Sequence, residues 1–241
     1  MTPRDRYHFS VGVIVAARNA AETIDHALQS VVDEISSGEG GVGFGLESFD
    51  IVVVDGSSTD ETWNIADRFP KVRIIAQTGV GLANARNQGI EAVDGGVIAF
   101  LDADDRWAPG SLTVRLTHLA SDDEVAGVVG HMVTEPLPGQ SVDARHRERI
   151  GKSIPAFTPG ALLVRRRAFE EVGPFDESLT IAADSEWFIR ARGAGTRIDL
   201  LDSVVLRKGA RSDSLSADIP RYRRELLDVS RRFLEERNKQ P

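Results

Sequence analysis

The sequence predicts an α/β fold with a mostly parallel central sheet flanked by helices. Three observations carry this. Short apolar runs of buried-strand length alternate with stretches of helical periodicity over roughly the first hundred residues. The first, second and fourth runs each end in polar residues, which lines those residues along one crevice of an open sheet. The fourth run, Ile98-Ala99-Phe100-Leu101, ends abruptly in Asp102-Ala103-Asp104-Asp105.

Residues 11–17 form the first strand, closed by Arg18 and Asn19. Residues 22–35 follow as a helix, with Ile24, Ala27, Leu28, Val31 and Ile35 on one face. A glycine-rich linker, 38–45, leads to the second strand, 49–54, which ends at Asp55-Gly56-Ser57-Ser58-Thr59-Asp60. Thr59 is placed to cap a helix over 61–69. Strand 72–76, helix 82–92 and strand 97–101 complete the alternation, which right-handed crossovers turn into a parallel sheet. Beyond Asp105 the pattern loosens. It gives helix 111–120, strand 125–133, a polar basic stretch over 135–155, a short strand 160–165, a helical turn 167–172, helix 184–193 and strand 203–206. Pro220 opens a last amphipathic helix that carries Tyr222, Leu226, Val229 and Phe233 on one face, for packing onto the sheet. No composition break divides the chain. The expectation is one domain over 1–241, with a first half at about 11–105, a second at about 106–216 and a terminal helix at about 220–238.

The 241 residues are 41% hydrophobic, enough for a sizeable core. A formal net charge of −8 argues against a nucleic-acid partner. The absence of cysteine excludes disulfides, thiolate chemistry and cysteine-held zinc, and fits a cytoplasmic location. The first ten residues lack the apolar core of a signal peptide. No apolar stretch approaches the ~20 residues of a membrane span. The five histidines show no metal-ligand spacing.

Chemistry concentrates in the carboxylates. Asp102, Asp104 and Asp105 at a strand tip suit either a hard divalent cation or an Asp-rich turn. Asp55 at another strand tip can accept the N3–H of a uracil ring or make an Asx turn. Asp184 and Glu186 open a helix, where acids favour the dipole and where a carboxylate could also take a proton from an acceptor hydroxyl. Trp187 is read as core, with a stacking wall for an acceptor as the alternative. Arg86 either reaches an anionic ligand or lies exposed on its helix. Gly79-Val80-Gly81 follows the third strand rather than the first, and Asn84 stands where a dinucleotide fingerprint needs Gly, so that reading fails.

Taken in order, these pieces resemble the family-two glycosyltransferases with the GT-A fold. The resemblance runs through residues 11–19, Val52-Val53-Val54-Asp55-Gly56-Ser57-Ser58-Thr59-Asp60, and Gly81 with Asn84-Ala85-Arg86-Asn87 and Gly89. It continues through Asp102-Ala103-Asp104-Asp105, Gly160-Ala161-Leu162-Leu163-Val164-Arg165-Arg166, Gly173 with Phe175-Asp176-Glu177, and Asp184-Ser185-Glu186-Trp187. It covers about 11–216. It implies a Rossmann-like, mostly parallel sheet with a smaller, mixed, acceptor-side portion. It implies a metal-dependent, inverting transferase with Mn²⁺ or Mg²⁺, a nucleotide-diphosphate sugar donor (UDP-linked favoured) and a hydroxyl-bearing acceptor. By the same resemblance Asp55 contacts the base, and Asp102 and Asp104 contact the ribose and metal-diphosphate. Asp184 is then the catalytic base. Ala17, Arg18, Asn19, Arg86 and Ala103 line the donor, while Gly160, Glu186 and Trp187 lie toward the acceptor.

Three departures stand out. Gly56 replaces a frequent second acid, the 38–45 linker is long, and Arg211 stands where relatives often have a tail histidine. Arginine cannot ligate a cation but can fork onto phosphate oxygens, so Arg211 either clamps the diphosphate or is an exposed charge of the tail. Two other readings share the fold class. One is a catalytically degenerate nucleotide-sugar-binding protein. The other is a sugar-phosphate nucleotidyltransferase, which would want a glycine-rich basic loop where Ala16-Ala17-Arg18-Asn19-Ala20 stands.

Overall fold

The computed structural model describes residues 8–38, 45–137, 147, 149–210 and 218–239. The strands are β1 (His8–Ala17), β2 (Gly45–Asp55), β3 (Val72–Ala76), β4 (Val97–Asp102), β5 (Arg106–Trp107), β6 (Gly127–Pro136), β7 (Ser153–Pro155), β8 (Leu163–Arg165) and β9 (Ile198–Ala210). The helices are α1 (Ile24–Gly38), α2 (Thr62–Ala66), α3 (Leu82–Ala92), α4 (Ser111–Ser121), α5 (Arg167–Val172), α6 (Ala183–Gly193) and α7 (Ile219–Lys239).

One sheet runs β3-β2-β1-β4-β8-β6-β9-β5, with β7 paired to β6. Its first four strands are parallel. Antiparallel β8 then opens a mixed half, in which β6 and β9 run parallel while β5 and β7 pair antiparallel. This is the parallel-plus-mixed architecture that the sequence predicts. Its strands are apolar on both faces because helices cover both faces. Val11, Val13, Val15, Ile51, Val53, Ala99 and Leu101 point into a core with α1, α2 and α4. The alternating Ile14, Val52, Val54, Ile98 and Phe100 point into a second core with α3, α5 and α6.

Register sets the crevice. Ala17 pairs with Asp55, and Ala16 pairs with Asp102, so both carboxylates end strands that flank β1. Two strand spacings, about 9.5 Å, separate those strands. The start of β2 pairs with the start of β1, so the 38–45 linker joins the sheet at the end away from the carboxylates, as expected; residues 39–44 of it lie outside the described residues.

The mixed half departs most from the sequence reading. Strand β9 spans 13 residues rather than 203–206, because pairing to β6 and β5 continues past its apolar centre. Arg207 and Lys208 are therefore strand residues and not part of a tail. Strands β5 and β7 were not expected; each is too short for periodicity to register. Residues 159–161 form a single 3₁₀ turn before β8, so the expected strand 160–165 begins late. Helix α2 stops at Ala66, and its first turn is held by Asp60, whose Oδ1 accepts the Thr62 amide at 3.1 Å. Thr59 does not cap; its amide donates to Asn19 Oδ1. Helix α7 packs on α6 rather than on the sheet, with Phe233 against Gly193. His131 lies within β6, with its Nδ1 2.9 Å from Ser153 Oγ.

At one glycine the fold and the crevice meet. A Cβ on Gly209 of β9 would stand 2.2 Å from the Asp104 carbonyl oxygen and 2.9 Å from Leu137. The first of these is rigid backbone, so only glycine lets β9 close on the acidic turn. Gly209→Ala is expected to lower unfolding free energy by about 1–3 kcal/mol, the usual cost of overpacking. Urea denaturation measures it, and unchanged stability would mean that β9 does not pack so closely.

Candidate active site at the carboxylate end of the sheet

The loops after β1 and β2 are stitched together. The Asn19 amide donates to Ser58 Oγ at 2.9 Å, and Asn19 Oδ1 accepts the Thr59 amide at 2.8 Å. The Ala20 amide donates to Thr62 Oγ1, and the Ala21 amide to Asp60 Oδ2. Asn19 and Ser57 hold left-handed backbone, φ 47° and 60°. Such conformations in non-glycine residues concentrate at functional sites. The Asn19 side chain thus shapes the loop rather than reaching out of it. Arg18 is exposed at the rim.

Asp55 sits beneath this loop, 5% exposed. Its Oδ2 accepts the Ser58 amide at 3.0 Å, while the buried Oδ1 has no hydrogen-bond partner. A buried carboxylate oxygen without a donor is rare and implies a partner still to come. Gly56 explains one departure from the family pattern. A Cβ there would lie 3.0 Å from Gln77 Oε1 and 3.3 Å from Arg18 Cβ, so the fold leaves no easy room for a second acid.

A tight turn gathers the acidic cluster. The Asp105 amide donates to the Asp102 carbonyl at 2.9 Å, and the Ala103 amide to the Ala16 carbonyl at 3.2 Å. Carboxylate oxygens of Asp102, Asp104 and Asp105 come within 4.8 Å of one another. An oxygen-only, acidic donor set on one turn fits a hard divalent cation such as Mg²⁺ or Mn²⁺. The three acids are not equivalent. Asp105 is buried and accepts the Gly209 amide at 2.9 Å and Lys208 Nζ at 3.4 Å. Burial pushes its carboxyl up to about 7; the Lys208 charge opposes that push, and Asp104 and Asp102 add to it. Lys208 holds its proton more tightly than usual because Asp105 faces it, despite burial. Asp102 and Asp104 are the more exposed members, in keeping with their expected roles.

Arg86 joins the two halves. Its guanidinium, 2% exposed, donates to Asp102 Oδ1 at 2.8 Å and to Asp184 Oδ1 at 2.5 Å. Asp102 ends β4, and Asp184 is the second residue of α6. Burial weakens the hold of Arg86 on its proton, but the two carboxylates outweigh burial and strengthen it. Burial also pushes the Asp184 carboxyl above its ordinary value; the Arg86 charge pulls it back, and Asp102 adds to the push. Arg86 is therefore not exposed on its helix; it is the counter-charge of two site carboxylates, and its buried Nε has no hydrogen-bond partner. Its neighbours on α3 continue the joint. Asn87 Nδ2 donates to the Phe175 carbonyl and to Glu177 Oε1, both at 2.9 Å, its Oδ1 accepts the Phe175 amide at 2.9 Å, and Asn84 Nδ2 donates to Glu177 Oε2 at 3.0 Å.

The structure thus brings Ala17, Arg18, Asn19, Asp55, Arg86, Asp102, Ala103, Asp104 and Asp184 to one end of the sheet. Gly160 joins them, since a Cβ on it would lie 3.8 Å from Asp105 Oδ2. Two acceptor-side expectations are corrected. Trp187 is fully buried against Phe169 and Phe175, its Nε1 donating to the Gly173 carbonyl, so it offers no face for stacking. Glu186 is buried and paired with Arg190 at 2.5 Å, which also holds the Val172 and Pro174 carbonyls; this carboxylate braces the α5–α6 joint. Phe157 is half-exposed and edge-on to Phe188 at 5.7 Å. Phe188 stands one helical turn beyond Asp184. Arg211 lies outside the described residues. Sequence reasoning missed Lys208, whose signal was its continuity with the apolar run Val204-Val205-Leu206.

Replacing Arg86 should expose how strongly this joint depends on it. Arg86→Met removes one partner of a buried charge cluster, which typically costs about 3–5 kcal/mol. Urea denaturation checks it, and a loss below about 1 kcal/mol would show that both carboxylates rehydrate freely.

Comparison with known proteins shows the family and the fold. Residues 12–173 match the family described as Glycosyl transferase family 2, a span that includes Asp55, Arg86, Asp102 and Asp104 but stops short of Asp184. Glycosyltransferase AglE of Haloferax volcanii is 30% identical over 212 residues, 81% of this chain and 65% of its own length. The chain therefore spans somewhat under two thirds of that relative. Two solved structures share the fold. A mannosyltransferase of Pyrobaculum calidifontis, in complex with GDP-Man and Mn²⁺, superposes with a TM-score of 0.68 at 21% identity, over 95% of this chain and 65% of that one. S. aureus TarS in complex with UDP-GlcNAc gives 0.63 at 19%, over 87% and 61%. Among the described residues no helix is long and apolar enough to cross a membrane. With the family match over more than half its length, this chain belongs to glycosyl transferase family 2.

Proposed function

We propose that the protein transfers a sugar from a nucleotide-diphosphate sugar to a hydroxyl of an acceptor, with inversion at the anomeric carbon. The observation that carries this reading is the row of four differently held acids, Asp55, Asp102 and Asp104 on one turn, and Asp184, along one crevice. Asp55 receives the base. One of its oxygens is taken by Ser58 and the other awaits a single donor. Uracil offers one such donor, N3–H, whereas guanine presents two side by side; this favours a UDP-sugar. Asp102 and Asp104 would hold Mn²⁺ or Mg²⁺ against the diphosphate. The ion, when bound, supplies positive charge to neutralise the leaving diphosphate.

Asp184 is the base. The acceptor oxygen bonds to the anomeric carbon as the bond from that carbon to the phosphate oxygen breaks. The electron pair leaves with the nucleoside diphosphate, and the acceptor proton passes to Asp184. One carboxylate suffices, because the leaving group needs no proton. Arg86 draws the proton affinity of that carboxylate back down against the push of burial. Phe157, edge-on to Phe188, offers an apolar ring face on the acceptor side.

One panel of variants separates these roles. In thermal shift, UDP with Mn²⁺ is expected to raise the melting temperature of the wild type more than GDP does, by mass action on the folded state. Asp55→Ala should lose the response to uridine as well as to UDP. Asp104→Asn should lose only the increment that EDTA also removes. Asp184→Asn should keep the full shift and yet release UDP from UDP-sugars about 10²- to 10⁴-fold more slowly. An Asp184→Asn protein that turns over at the wild-type rate would remove Asp184 from the mechanism. A shift larger with GDP than with UDP would reverse the choice of base.

A further inference from the structure

Helix α6 begins without a capping side chain of its own, although it carries Asp184 in its first turn. The segment leading into it is instead held from the far end of the chain. Glu225 of α7 accepts three consecutive backbone amides just ahead of α6: Thr180 at 3.2 Å, Ile181 at 2.9 Å and Ala182 at 3.0 Å. Three amides converging on one carboxylate pin the backbone of residues 180–182, the segment that leads into the helix. The carboxylate is itself oriented. Arg221, one turn earlier on α7, donates through Nε to Glu225 Oε1 at 3.1 Å and through Nη2 to Thr180 Oγ1 at 2.6 Å. A second tie lies beside Asp184, where Ser185 Oγ and Tyr222 Oη are 2.9 Å apart. A third holds the preceding turn, where Arg232 donates to Asp176 Oδ2 at 3.1 Å.

We propose that Glu225 is a positioning residue for the reaction: it fixes the start of α6 and thereby aims the Asp184 carboxylate at its place beside Arg86. The proposal rests on the reading of Asp184 as the base. The geometry supports it at both ends of a short covalent path. Glu225 holds Ala182, Asp184 follows two residues later, and Arg86 holds Asp184 from the other side at 2.5 Å. Burial works against the Glu225 charge, but the three amides and Arg221 together keep its carboxyl below the usual range. Helix α7 lies beyond the stretch that matches the family, so this chain completes its site with an element outside that stretch.

The test compares Glu225→Ala and Glu225→Gln with the wild type. UDP release from UDP-glucose and from UDP-N-acetylglucosamine reports turnover, and UDP titration reports the donor site. Small misplacements of a reacting group cost on the order of 10²-fold in rate. Glu225→Ala is expected to lose ten- to a hundred-fold in kcat with KM and UDP affinity unchanged. Glu225→Gln keeps one acceptor oxygen and is nearly isosteric, so it should fold like the wild type and recover part of the loss. Hydrogen exchange at the amides of residues 180–182 should speed up in Glu225→Ala, and less in Glu225→Gln. Wild-type kcat in Glu225→Ala, or a loss in kcat matched by an equal loss in UDP affinity, would overturn the proposal. If Asp184→Asn is inactive while Glu225→Ala is fully active, only the positioning role fails. If Asp184→Asn is itself fully active, the reading of the base fails, and the positioning role with it.

Discussion

Asp102 ends a strand of the parallel half, Asp184 begins a helix of the mixed half, and a single buried guanidinium lies between them. Two carboxylates in a partly buried crevice repel one another and resist ionisation. Arg86 makes their closeness tolerable. Its planar fork reaches both at once, which a lysine ammonium on a flexible stem would not do with the same geometry. The surrounding contacts point the same way. Asn84 and Asn87, on either side of Arg86 along α3, bind the 175–177 segment that leads toward α6. The helix that follows β3 is therefore less a crossover than a spine on which the two halves are aligned.

The acids of the crevice differ in how they are held, and this divides their work. Asp55 keeps one buried oxygen without a donor. Asp105 is tied to the backbone of β9 and to Lys208, and burial raises its carboxyl to about 7. Asp105 thus braces the turn that presents Asp102 and Asp104. Gly209 allows the bracing strand to approach, and Glu135, bridging Arg106 and Arg207, fastens the other side of that strand. Among the described residues the buried acids of the crevice each have a named cation or backbone amides, and Asp55 Oδ1, unpartnered like the buried Arg86 Nε, marks where a ligand is expected.

Much of this was legible in the residues. Apolar runs ending in Asp55 and Asp102 announced strand tips, because a parallel sheet covered on both faces leaves such runs few other places to go. Helix α3 and strand β3 fell at their predicted bounds, since both have clean periodicity and clear breakers. The mixed half was harder. A strand such as β9 carries charged residues through its later part, so its length follows from partners and not from pattern. Trp187 and Phe188 are adjacent, and a shift of one residue on a helix turns a side chain by about 100°. Only the packing decides which of the two enters the core. Arg86 was visible as a charge near the site, but its role depends on Asp184 arriving from 98 residues away.

A double-mutant cycle between Arg86 and Asp184 tests the account most directly, because it isolates the coupling on which the alignment of the halves depends. Unfolding free energies of the wild type, Arg86→Met, Asp184→Asn and the double variant are measured in urea. Removing the second charge should relieve the burial of an acid that has lost its partner. The double variant should then be more stable than the sum of the single losses implies, by about 1–3 kcal/mol. Strict additivity would contradict the account, because it would mean that Arg86 and Asp184 are neighbours without being coupled.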